Sequence, residues 1–452
     1  MREVIHKFFD GMNHGLRSHR NNPRSKQNLT RCHNLKPMED GLVVRNFLET
    51  IPLTPMVRWP LVQGFGLFSG DCLYAHGGTI YLFSTNGASI ELIDVGITTS
   101  WWDFVNYHQF WILSCENYQI QTQIDATGNV IGYLVGATPN IPHFSTCCNF
   151  NGQIFAGDIL SEWHGMGRNS VIWSKIGEAD FNPGISNVAG FAVLPTTGRV
   201  MRVKKLGDNV IVYTASDIFQ FSPRNTTFGI KHLAQVGIPN KRAVEGDNTI
   251  HIFVDTEGNL WRMHENLQII NMDYQEWFED LNLANITISM DEKRKEFYIT
   301  DFQNNNVYLY SLFGLSTINI VPSSIWVING IVYGSWISNS NNFWEIITDS
   351  LDYNERALKT LQTIAVTGNF SLNLTFCSVG WANDFQRDRD SFAWRPQERL
   401  NPYGQYSPIV SGMDFRIRLY GEGLTNTINV EQITMAVQYF DRTIIRSRYY
   451  GE

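Results

Sequence analysis

Charge is scarce in this chain: Asp, Glu, Lys and Arg together make up 17% of 452 residues, against 43% for the hydrophobic types and 13% for the aromatic ones. A long disordered region needs the opposite balance, so the composition excludes one and calls for a ring-rich interior or interface. The charge that is present leans negative, -8 at neutral pH with a pI near 5.8. That argues against a protein that coats nucleic acid through clustered cations. Long hydrophobic runs are also missing. No stretch approaches the ~18 apolar residues of a membrane-spanning helix, and residues 1–22 lack the apolar centre of a secretion signal. The six cysteines form no C-x-x-C pair, which leaves zinc-ribbon and redox motifs without ligands. A disulfide between the adjacent Cys147 and Cys148 would be strained. All six are therefore expected as reduced, mostly packed thiols of a chain made in a reducing cytoplasm.

Signatures of common chemistry are absent too. Neither a phosphate-cradling G-K-[ST] loop nor H-E-x-x-H occurs, so nucleotide hydrolysis and zinc chemistry have no support. Asp158, Glu162 and His164 in GDILSEWHG are the best local group of catalytic residue types. Paired carboxylates divide acid and base roles only where their environments separate their pKa values, and the expected reading is a loop of solvated charges. The stretch from Asp255 to Trp261 approaches the Asp box of sialidase-like propellers but lacks its Ser and has Gly one place late, so it reads as a hairpin. The sequence points to no enzyme, no cofactor and no metal site.

What is present is repetition. Seven stretches run as a Gly, Asn or Asp turn, an apolar-aromatic strand, a second polar turn and another such strand. Their central residues are Tyr81, Trp111, Phe155, Val212, Ile252, Tyr298 and Val332, spaced unevenly by roughly 30 to 60 residues, around the period of propeller blades. One such meander cannot bury its apolar face alone, whereas radial stacking buries it. The sequence predicts an all-β protein: a β-propeller of about six to seven degenerate blades, an extended N-terminal arm and a C-terminal antiparallel β-sandwich or sheet. The expected boundaries are 1–54 for a docking segment, 55–356 for the propeller and 357–452 for the C-terminal domain. Short helices are expected around Asp273 to Leu283, with Asp273 as N-cap, and at Tyr353 to Leu361.

Beyond Leu361 the alternation is cleaner. Phe370, Leu372, Leu374 and Phe376 share one face; Phe415, Ile417 and Leu419 oppose Arg416, Arg418 and Tyr420; Ile433, Met435, Val437 and Tyr439 form a third apolar row. From Asn383 to Pro408 the sequence reads as a long contact loop, with Arg387, Arg389, Trp394, Tyr403 and Tyr406 as interface candidates. Arg17, Arg20 and Arg24 are the matching candidates in the N-terminal arm. Trp101, Trp102, Trp163, Trp381 and Trp394 are expected at the surface, as sugar platforms or protein anchors.

Several phrases, in their order, resemble the β-propeller tail proteins of tailed bacteriophages, namely the tail nozzle (tubular protein B-like) and packaged-DNA stabilisation or plug proteins. They are Gly11-Met-Asn, Cys32-His-Asn-Leu-Lys-Pro-Met-Glu-Asp-Gly-Leu, Trp173-Ser-Lys-Ile-Gly-Glu-Ala-Asp-Phe, Val212-Tyr-Thr, Val236-Gly-Ile, Phe253-Val-Asp-Thr-Glu-Gly-Asn-Leu-Trp, Ser411-Gly-Met-Asp-Phe-Arg-Ile-Arg-Leu and Ile433-Thr-Met-Ala-Val-Gln-Tyr. The set spans nearly the whole chain, without the inserted domains of longer nozzle proteins. The resemblance implies a virion protein, assembled in the bacterial cytoplasm, that forms a closed homo-oligomeric ring of about six copies. Its implied partners are adaptor or portal-proximal tail proteins and tail fibres, with genome DNA passing through the channel without sequence-specific binding. The alternative is a receptor- or glycan-binding tail-tip propeller, with or without hydrolase activity, that meets a host surface receptor.

Overall fold

The computed structural model describes residues 2–8, 15–16, 29–44, 51–52, 62–68, 71–83, 89–97, 101–107, 110–124, 126, 129–135, 138, 140–184, 187–225, 227–301, 303–328, 331–338, 342–351, 358–382, 392–424 and 427–439. The fold is all-β and contains a β-propeller. It divides into two compact units. Unit 1 takes 1–49, 306–321 and 338–452, and unit 2 takes 50–305 and 322–337.

Unit 2 holds five four-stranded antiparallel blades in chain order. Blade 1 runs from Val62–Phe68 to Ser89–Asp94, blade 2 from Asp103–Tyr107 to Val130–Leu134, blade 3 from Phe144–Phe150 to Gly190–Val193, blade 4 from Val200–Leu206 to Thr227–Ala234 and blade 5 from Val244–Gly246 to Ile269–Asn271. The hairpin Ile286–Asp291/Glu296–Asp301 and a sheet of Ile320–Ile328, Ile331–Ser338 and Ile51–Pro52 follow. The first strand is the innermost in blades 2 to 5: Asp103–Tyr107 packs beside Phe144–Phe150, which packs beside Val200–Leu206, and Val244–Gly246 packs beside Ile286–Asp291.

The blades adhere through their apolar faces. Leu73 and Ile80 of blade 1 meet Trp111 and Leu113 of blade 2, and Phe155 and Trp173 of blade 3 meet Val203, Val212 and Phe221 of blade 4. The central residues Trp111, Phe155, Val212, Ile252 and Tyr298 are all buried, each contributing about 1.5–3 kcal/mol of burial. The Asp255 hairpin holds together through its own carboxylate, which accepts from Glu257 N (2.9 Å), Asn259 N (2.8 Å) and Trp261 Nε1 (2.7 Å). Gly258 supplies the required φ of 82°.

Unit 1 contains two sheets. In one, Leu35–Met38, Gly41–Val44, Asn429–Tyr439, Lys359–Asn369 and Gln405–Tyr406 lie side by side, and Arg2–Phe8 also pairs with Asn429–Tyr439. In the other, Leu29–His33 lies between Leu315–Thr317 and Phe343–Thr348, followed by Asp414–Glu422 and Thr375–Ala382. The buried Asn34 ties three distant segments: its Nδ2 donates to Phe343 O (2.6 Å) and its Oδ1 accepts from Asn319 N (2.9 Å). Buried Glu345 accepts from both Arg31 and Arg418.

Several expectations are corrected. The units do not follow the boundaries 1–54, 55–356 and 357–452, because strands from both ends of the chain pair with each other. The helix is only Gln275–Phe278; its N-cap position falls on Tyr274, whose side chain makes no capping hydrogen bond, and Asp273 sits one residue earlier at φ 56°. At 353–361, the part from Lys359 on is strand, and residues 352–357 lie outside the described residues. Leu372–Leu374 is a 3-10 turn that interrupts the row from Phe370 to Phe376. The rows Phe415/Ile417/Leu419 and Ile433/Met435/Val437 are buried as expected. Arg416 is buried too, with Phe392 4.4 Å from its guanidinium carbon. The 392–408 part of the supposed loop pairs along the sheets: Ala393–Trp394 and Glu398–Arg399 bind Thr375–Ala382, and Gln405–Tyr406 binds Lys359–Asn369. Pro396 and Pro402 lack N–H donors, which breaks this ribbon into two-residue pairings.

Candidate functional site: a charge network on the innermost strands

Polar residues cluster where the innermost strands of blades 2 to 5 begin, in a region otherwise built of Val, Ile and Phe. Asp103 opens blade 2 just after Trp102. Trp102 is fixed by donation of its Nε1 to Gly77 O (2.7 Å) and by reciprocal bonds with Gln63. The Asp103 carboxylate accepts from Thr146 Oγ1 (2.6 Å) and Cys147 N (3.1 Å) of blade 3. Thr146 Oγ1 in turn accepts from Val203 N of blade 4 at 2.9 Å. Arg202, two residues into the inner strand of blade 4, pairs with Asp103 at 3.4 Å and with Glu245 of blade 5 at 3.8 Å, and Lys204 also holds Glu245. Four blades are thereby joined through side chains that backbone pairing does not reach.

A second group lies beside the first. Asp158, the penultimate residue of the second strand of blade 3, is fully buried at φ 57°. It accepts from Ser145 Oγ and from Arg168 (2.8 and 3.2 Å), and pairs with Lys241 at 3.5 Å. Glu116, in the loop between the second and third strands of blade 2, accepts from Arg199 (2.7 Å) and Arg168 (3.3 Å). Lys241 also donates to Ser145 O at 3.3 Å, which links it to the neighbouring strand. Burial pushes the Lys241 amine below its usual range, opposed by Asp158, Glu116 and Asp103. Burial raises Glu116, but Arg199, Lys241 and Arg168 outweigh it and hold the carboxyl low. Burial, aided by Asp103, drives the Cys147 thiol well up, so it is not a nucleophile at neutral pH.

The network corrects the reading of GDILSEWHG as solvated charge. Asp158 is buried and paired, because the strand turns left-handed there and directs the carboxylate at Arg168 and Lys241. Glu162 and His164 are exposed, and His164 stacks on Phe191 with centroids 6.0 Å apart. Asp103, Thr146, Arg168, Arg199, Arg202 and Lys241 were missed; Asp103 and Arg202 had one signal, a polar residue interrupting an apolar strand start, as in DFVNY and VMRVKKL, whereas Arg168, Arg199 and Lys241 lie in loops and turns that carry none.

Of the interface candidates, Arg17, Arg20, Arg24, Arg387 and Arg389 lie outside the described residues. Tyr403 is 83% exposed and Trp394 40% exposed. Tyr406 is buried inside unit 1, with its hydroxyl pushed up to about 12 by burial, so it cannot serve as a surface anchor. Trp102 and Trp163 are also buried, and Trp101 and Trp381 half-buried, contrary to the expected exposure. Five cysteines, Cys147 and Cys148 among them, carry free thiols, and the Cys72 side chain lies outside the described residues.

No protein-family model and no curated protein matches the chain. Among solved structures, BamB from Moraxella catarrhalis superposes with a TM-score of 0.36 at 8% identity, over 59% of this chain and 76% of that one. KlHsv2 with loop 6CD replaced by a Gly-Ser linker gives 0.34 at 8% identity, over 61% and 83%.

Proposed function

We propose that this chain is a structural virion protein of a tailed bacteriophage, a tail nozzle subunit that closes into a ring and builds the conduit that retains and releases the genome. The observation that carries the reading is the ordered set of phage-like motifs, whose described members occupy structural positions. In Trp173-Ser-Lys-Ile-Gly-Glu-Ala-Asp-Phe, Trp173 and Phe181 are buried, Ser174 Oγ accepts from Ile154 N at 2.9 Å, and Gly177 turns at φ 80°. Phe253 to Trp261 forms the Asp255 hairpin, and Ser411 to Leu419 and Ile433 to Tyr439 supply strands of unit 1.

In this reading adaptor or portal-proximal proteins and tail fibres are its neighbours, and DNA passes without sequence-specific contacts. Light scattering and electron microscopy of the purified protein, alone and with its neighbouring tail protein, are expected to reveal a closed ring of about six copies. A monomer at high concentration under both conditions would overturn the proposal. The exposed His164–Phe191 stack on blade 3 favours a second reading as a glycan-binding propeller, which a glycan array tests.

A further inference from the structure

Among the described residues, the ion pairs of blades 2 to 5 that lie within 4 Å join five cations to four carboxylates. Arg168, Arg199, Arg202 and Lys241 face Asp103, Glu116 and Asp158, while Lys204 is matched by Glu245. Within that set one cation is in surplus.

Three donors beside it have no partner among the described residues. The Arg202 side chain is 7% exposed, and its Nη2 reaches the carboxylates, yet its buried Nε and Nη1 have no hydrogen-bond partner among the described residues. Trp101 Nε1 is buried and also without one, and the Arg202 guanidinium carbon lies 5.7 Å from the Trp101 ring centroid. Buried donors left without acceptors each lose about 1–3 kcal/mol. Water would satisfy the donors but not the surplus charge. A monoanion does both.

We propose that the charged inner end of blades 2 to 5 is a binding site for a small oxyanion, a phosphate or a carboxylate, held by Arg202 and Trp101 with Arg199, Arg168 and Lys241 around it. This inference concerns a single protomer, so it stands or falls apart from the ring proposal.

The test is calorimetric titration of the purified full-length protein with inorganic phosphate and, separately, acetate, at ionic strength held constant with sodium chloride. Saturable binding of at least one is expected, and the tighter of the two identifies the source as phosphate or carboxylate. Trp101→Phe keeps the ring and removes one donor. Arg199→Gln removes a half-exposed cation. Each is expected to weaken binding about tenfold, as for a hydrogen bond to a charged group. Arg202→Lys is expected to abolish binding, and Trp101→Phe keeps the test open should that variant not fold. No saturable heat with either anion, or affinities unchanged in both Trp101→Phe and Arg199→Gln, would overturn the proposal and leave the donors to water.

Discussion

Asp158 lies next to last in its strand, left-handed and fully buried, with two cations and a hydroxyl directed at its carboxylate. Removing one member of such a buried group leaves the others uncompensated. Asp158→Ala is therefore expected to lower unfolding free energy by about 3–5 kcal/mol, whereas Glu116→Gln, on a half-exposed partner of the same arginines, is expected to cost about 1 kcal/mol or less. Equal losses in urea denaturation would mean that the buried member anchors nothing. His251 adds a pH dependence. Its Nε2–H donates to Lys205 O (3.0 Å) and its Nδ1 accepts from Tyr213 (2.9 Å), so the ring is neutral; burial, helped by Lys204, pushes its pKa from 6.5 down to about 3. Below pH 6.5 the unfolded chain takes up a proton that the folded one refuses. The contribution is complete above that pH and drains away toward pH 3. Melting temperatures measured from pH 7 to pH 4 are expected to fall, and His251→Gln is expected to flatten that slope. Tyr406→Phe is expected to be neutral or mildly stabilising, since its buried hydroxyl has no partner among the described residues.

At the scale of elements, three tryptophans lie flat across the glycine opposite them on the next strand: Trp173 over Gly190, Trp344 over Gly421 and Trp394 over Gly380. A Cβ on Gly421 would meet the Trp344 ring at 2.1–2.3 Å, and Trp344 is buried with nowhere to go. Gly421→Ala is expected to cost about 1–3 kcal/mol from overpacking. At Gly380 the clash is milder, 2.9–3.1 Å, and Trp394 is partly exposed, so Gly380→Ala is expected to cost less than 1 kcal/mol; thermal melts of the two variants compare them directly. Such pairs join residues far apart in the chain, so no local pattern announces them. Local alternation did announce the blades and the rows at Phe415 and Ile433, where each apolar residue indeed faces inward. It failed from Phe370 to Phe376, where a 3-10 turn supports the same spacing, and it missed the charge network, whose partners come from four blades.

At the scale of the molecule, the N-terminal stretch is not simply an arm. Arg2–Phe8 pairs residue for residue with Ile433–Tyr439. Deleting residues 1–26 is therefore expected to speed amide exchange along Asn429–Tyr439 and, on the proposed tail reading, to abolish incorporation into particles. Unchanged exchange would return the segment to a purely docking role. On the proposed ring reading, Trp394→Ala with Tyr403→Ala is expected to weaken assembly in sedimentation while leaving the protomer's melting temperature nearly unchanged. Equal loss of both would make these rings part of their own unit's fabric.

The pairing of Arg2–Phe8 with Asn429–Tyr439 also sets a clock. At ~5–20 residues per second of synthesis, the first of these strands is made roughly 20 to 80 seconds before the second begins to exist. The blades, made from consecutive hairpins, can close while translation continues. The early strand must meanwhile wait with its backbone groups open to any other nascent chain, and on a crowded polysome the nearest candidate is another copy of itself.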